Sequence, residues 1–134
     1  TFKWEGDAIG MRAKRASGRG LIGIALAVVT EGKRNAHVIS GTMERSVHAA
    51  PHGWAGGNDE AMAASGAGLE SVTSPSDYGA MGFDSVVDVG SWVSYACVEE
   101  VGRGHAFMQP AVESVSGARA VGLVVQAFAE EGLV

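Results

Sequence analysis

The sequence predicts an α+β fold: a small antiparallel β-sheet packed by a long N-terminal helix and a C-terminal helix, with a long Gly-rich loop between strands. Three observations lead there. Leu21, Ile24, Ala25, Val28 and Val29 recur at the spacing of one helical face. Val112, Val115, Ala118, Val121, Val125 and Phe128 repeat at three- and four-residue intervals near the other end. Between these patterns lie short segments with β-branched residues, bounded by glycine and proline, which read as strands. Helix, strands, helix in that order is the signature of helices laid on a small antiparallel sheet.

Taken in order, Thr1 to Glu5 reads as a short edge strand closed by Gly6. Asp7 is placed as an N-cap. One long helix is expected from roughly Asp7 to Arg34, weakened at Gly18 and Gly20, each of which costs about 1 kcal/mol against alanine in a helix interior. Ala36 to Gly41 is a connection. Met43 to Ala50 reads as the first strand, stopped by Pro51. Residues 51–68 hold five glycines and few β-branched side chains, so this stretch is expected to be a long loop or arm. Leu69 to Ser74 is a second strand and Ser85 to Val93 a third, with Val87, Val89 and Val93 on one face and Trp92 on the other. Tyr95 to Gly102 is expected to form a short helical turn. Pro110 suits a helix start, and a single C-terminal helix should run from there to near Gly132.

Composition narrows the function classes. With 134 residues the chain fits one domain, 1–134. Its hydrophobic share of 46% and charged share of 19% are those of a globular protein. Twenty glycines are about twice the usual share, which calls for many turns. The net charge of −5 gives no support for a nucleic-acid-binding face, which is ordinarily basic. The single cysteine, Cys97, excludes an intrachain disulfide and a cysteine-based zinc site. Thr1-Phe2-Lys3-Trp4 does not read as a signal peptide. The longest apolar run, Leu21 to Val29, is nine residues, far short of a membrane span. A protein made in the cytoplasm is the expectation.

No catalytic or cofactor constellation emerges. Gly18-Arg19-Gly20-Leu21-Ile22-Gly23 spells GxGxxG, but a basic segment precedes it where the dinucleotide fingerprint needs a buried strand. His48 and His52 are four apart with Pro51 between them, so no helix presents both on one face. His37 and His105 stand alone. Glu99 and Glu100 beside Cys97 disfavour its thiolate, and Ser40 and Ser46 lack a nucleophile elbow. The basic run Arg12, Lys14, Arg15 and Arg19 leaves three readings open: a solvated face, a contact to an acidic partner subunit, or a DNA contact. Trp54, in the Gly-rich loop, is either an anchor against another chain or a local core residue. A small hydrolase using His48 or Cys97, and a ligand-binding domain with Trp54 and Trp92 lining a pocket, are the alternatives.

Three segments resemble the small neck and tail-completion proteins of tailed bacteriophages. Ala36 to Val47 resembles the family's Ala-Pro-Val-Asp-Thr-Gly-x-Leu-Arg-x-Ser-Ile, with Ala36, Val38, Gly41, Ser46 and Val47 in place, Ser40 for Thr and Met43 for Leu, and with His37 and Ile39 departing from it. Arg45 falls within the same segment. Val87 to Gly102 resembles a valine-glycine strand end followed by Tyr95, Ala96, Glu100 and Gly102, with Val101 where an aromatic is commoner. His105 to Ala111 resembles Pro-Phe-Leu-x-Pro-Ala through Phe107, Met108, Pro110 and Ala111, with Ala106 for the first Pro.

The resemblance implies a structural virion protein and no enzyme, with no cofactor and no metal. It implies a homo-oligomeric ring of six subunits at the head–tail junction, acting as tail terminator or neck connector. Its partners would be the tail tube protein and the head connector or stopper proteins. Genome DNA would pass through the lumen without sequence-specific binding, and no membrane would be involved. The motif residues it marks are Ser40, Gly41, Met43, Arg45, Ser46, Tyr95, Ala96, Glu100, Gly102, Phe107 and Pro110, and Trp54 is added to them as an interface residue from its place in the Gly-rich loop.

Overall fold

The computed structural model describes residues 5–36, 46–52, 78–91, 98–102 and 104–134. The observed architecture is α+β, a two-stranded antiparallel sheet with helices packed on it. Helix α1 spans Gly6–Asn35, within one residue of expectation at each end, and Gly18 and Gly20 do not interrupt it. Glu5, not Asp7, occupies the N-cap position; Asp7 lies in the first turn, and Lys33 and Arg34 lie in the last. Both ends therefore carry charges of the sign that the helix dipole favours.

Strand β1, His48–Pro51, pairs antiparallel with β2, Val87–Gly90, in the register His48↔Gly90 to Pro51↔Val87. Pro51 does not stop β1 but is its last paired residue. It lacks an N–H, and the ladder continues past it through the His52 N–H to the Val86 carbonyl. Val87 and Val89 turn to the core while Asp88 faces solvent, as their alternation predicts. The expected strand over 69–74, the start of the first strand at 43–45, Trp92, Val93 and most of the 51–68 arm lie outside the described residues.

A π-helical turn, Val98–Gly102, leads toward α2, Met108–Val115, and α3, Ala118–Glu130. The single C-terminal helix expected from the valine repeat is thus two helices. Gly117 breaks it with φ 70° and ψ −133°, a backbone conformation that residues with a Cβ rarely adopt. Pro110 is the third residue of α2, not its first.

Two apolar clusters form the interior. Ala25, Val29, Ala36, Val47, Ala49 and Phe107 make one; Val28, Ala111 and Val115 make the other. Val89 and Met108 pack against both and join them. Helix α1 is the common support, touching α2, α3 and both strands. No helix among the described residues is long and apolar enough to cross a membrane.

Candidate functional site

One carboxylate organises the corner between the π-helical turn and α2. Gly104, with φ 70°, turns the chain back, so that Glu100 faces the start of α2. One oxygen of its carboxylate accepts the N–H groups of Phe107 at 2.7 Å and Met108 at 3.0 Å; the other accepts that of Gln109 at 2.8 Å. The first four N–H groups of a helix have no partner within it. Here three are taken by one carboxylate, and the fourth position is Pro110, which has none. Phe107 at the N-cap position is 2% exposed and is the largest fully buried side chain among the described residues. Partial burial of Glu100 opposes its charge, but the three backbone donors outweigh that and hold its carboxyl below the ordinary glutamate value.

A second polar cluster ties the far end of α3 to α1. The guanidinium of Arg12 donates two hydrogen bonds to the Glu131 carbonyl, at 3.1 and 2.6 Å. Arg15 and Arg19 donate to the Glu131 carboxylate, the latter at 2.8 Å. Arg12, Arg15 and Arg19 share one face of α1 through their three- and four-residue spacing, and they meet the carbonyl end of α3, where cations are favoured. Chiefly the Arg15 hydrogen bond, with the charges of Arg15, Arg19 and Arg12, lowers the Glu131 carboxyl below its usual value against some desolvation. Within the protomer, Arg15 and Arg19 of the basic run thus find an acidic partner in Glu131, with Glu130 also 4.0 Å from Arg19. Nearer the other end of the same helix pair, the mostly buried Glu31 accepts from Arg34 and Arg119.

The GxGxxG string has a packing explanation. A Cβ on Gly18 would lie 2.5 Å from the Met81 Cβ and 3.0 Å from its backbone, and one on Gly20 would lie 3.2 Å from Val124 of α3. Two glycines thus let two different segments approach α1 closely, while Gly23 has nothing within 4 Å.

At the sheet, Ser46 is buried and its hydroxyl pairs with that of Ser91. His48 is buried, its Nδ1 2.8 Å from the Ser46 carbonyl oxygen. His52 is exposed and pairs with Asp88 at 2.9 Å. The two histidines, four residues apart along β1 and its end, do not converge on a shared ligand position. Among the described residues no three His, Cys, Asp or Glu side chains gather as a metal site.

Of the residues marked by the family resemblance, Glu100, Phe107 and Pro110 come together at the α2 corner. Gly102 ends the adjoining π-helical turn and is exposed. Ser46 sits apart from them at the sheet, next to Val47, which shares the Phe107 cluster. Ser46 and Phe107 are interior residues of the protomer, not surface ones. Ser40, Gly41, Met43, Arg45, Trp54, Tyr95 and Ala96 lie outside the described residues, as does Cys97. Sequence reasoning did not anticipate the role of Glu131. An acid closing a helix that ends in Gly132, opposite a basic helical stripe, was its only signal.

Compared with known proteins, the chain matches no family model, no curated protein and no solved structure.

Proposed function

We propose that this chain is a structural subunit of a tailed-bacteriophage virion, assembling into a ring of six at the head–tail junction, where it caps the tail tube and joins it to the head connector. The observation that carries this reading is the ordered set of three resembling segments, 36–47, 87–102 and 105–111. Two of them supply the two sides of one physical unit, the Glu100 carboxylate and the Phe107–Pro110 helix start that it caps.

Surface chemistry is in keeping with a life in contact with other subunits. Val112, Val121 and Val125 are 53%, 62% and 47% exposed. Ala118, Gly122, Gln126 and Ala129 are exposed beside the last two, an uncharged strip flanked on one side by the exposed Arg119 and Glu130. Surface helices of isolated proteins are ordinarily polar on that side. A heterologous contact repeated by rotation closes a ring, and a chain of net charge −5 gives such a ring a wall that does not hold DNA.

The test is location. Mass spectrometry of purified particles should find the chain, and gold-labelled antibody should mark one place per particle, between head and tail. A chain found in the infected-cell lysate but absent from purified particles would rule the reading out.

A further inference from the structure

The concave flank of α1 beside residues 79–81 is a groove of about 480 Å³. Met11, Ile22 and Met81 give it apolar lining, and Lys14 with the Arg15–Arg19–Glu131 cluster gives it charged lining. On the far side of Lys14 a second depression is lined by Lys14, Phe83 and Asp84. The Lys14 stem lies directly over Gly82, which has no side chain to displace it. The result is a knob beside a hole. Phe83 is 65% exposed in the turn after Gly82, and Met11 is 62% exposed at the groove. Lys14 and Asp84 share the second depression, yet among the described residues neither has an ion-pair partner.

We propose that this patch is a self-complementary docking surface whose occupant is a second copy of the chain, related by a twofold axis. The argument is one of charge and shape. Two copies of a chain at −5 repel, and a contact that sets a cation against an acid offsets that repulsion locally. Residues 11–19 carry four cations and no acid, leaving −9 on the rest of the chain. An adjacent cation and anion are self-complementary under twofold rotation: Lys14 of each copy meets Asp84 of the other. The same rotation carries each Phe83 toward the other copy's methionine-lined groove, where thioether–aromatic contact is favourable. Knob and hole lie within a few residues of each other, as an isologous contact requires. The pairing belongs to the free protein and stands apart from the ring reading, since a twofold contact closes no ring.

Sedimentation across a concentration series of the full chain tests it. The expected result is a reversible monomer–dimer equilibrium. Lys14→Asp alone and Asp84→Lys alone each place like charges across the axis and should weaken the dimer roughly tenfold or more. The double reversal keeps the total charge of the wild type and should restore pairing to near the wild-type constant. Phe83→Ser should weaken it without altering the unfolding midpoint, because Phe83 is a surface residue. A wild type that remains monomeric at every concentration, or a double reversal no better than the single ones, overturns the proposal. Rings on tail tubes made by the monodisperse Phe83→Ser protein would leave the ring reading intact, so the two can fail separately.

Discussion

A carboxylate oxygen of Glu100 lies 2.7 Å from the backbone nitrogen of Phe107. That contact joins the most deeply buried aromatic among the described residues to a partly buried charge. The side chain of Phe107 anchors the core while its N–H, with those of Met108 and Gln109, is satisfied by a residue seven positions earlier. One acid thus performs the whole N-terminal capping of α2, and helix α2 carries Ala111 and Val115 into the second apolar cluster.

Replacing Glu100 by Gln should therefore destabilise the protein by about 1–2 kcal/mol, the range for a lost helix cap. The effect should depend on pH with a definite sign. The folded carboxyl is depressed, so its contribution is fully present above the unfolded value of about 4.3 and is lost as pH falls through the folded one. Denaturant titrations at pH 7 and in steps below pH 4.5 should show the wild type and Glu100→Gln converging as acid is added. A gap that stays constant across that range would mean that charge is irrelevant at the cap.

Phe107→Ala should cost about 3–5 kcal/mol, a large part of the 5–15 kcal/mol that holds a domain together. Because the residue sits against Val47, Ala49 and α1, the loss should appear as a lower denaturant midpoint with far-ultraviolet helix content retained until the transition. Phe107→Leu should recover most of it.

The glycines of α1 should respond in opposite directions. Gly23→Ala adds a methyl where nothing lies within 4 Å, so helix propensity alone decides and stability should rise by about 0.5–1 kcal/mol. Gly18→Ala gains the same propensity but drives its methyl into the backbone of Met81, and overpacking of about 1–3 kcal/mol should win. Equal effects at both positions would contradict the close packing of residues 81–82 on α1.

Glu131→Gln should lower the thermal midpoint in dilute buffer and lower it less in 1 M salt, since Arg15 and Arg19, which hold it, are about half exposed and screened accordingly. Arg15→Ala should show the same salt dependence. A loss in Arg15→Ala that salt leaves unchanged would point to packing of the arginine stem instead of charge.

Much of this architecture was legible in the sequence, and the failures have physical causes. Helix α1 could be read to within a residue because Leu21, Ile24, Ala25, Val28 and Val29 recur at helical spacing and no proline interrupts residues 6–35. Strand β2 falls inside its expected range because Val87, Asp88 and Val89 alternate. The break in the C-terminal helix was hidden by a valine repeat that runs straight through Gly117. Of that repeat Val115 is buried as expected, but Val112, Val121 and Val125 are exposed, and Ala111 and Ala127 join Val115 in the interior. Helices apolar on more than one face do not announce which face is covered. The Glu100 cap and the Arg12–Arg15–Arg19 grip on Glu131 were unreadable for a different reason. Each depends on chain reversal, the second across more than 110 residues, and spacing rules reach only a turn or two.

Electron microscopy of the purified protein mixed with tail tubes assembled without it tests the central claim most directly. The account predicts sixfold rings seated on one end of each tube, with tube lengthening arrested once the protein is added. Tubes that keep growing with both ends bare, at protein concentrations well above that of tube ends, would contradict it.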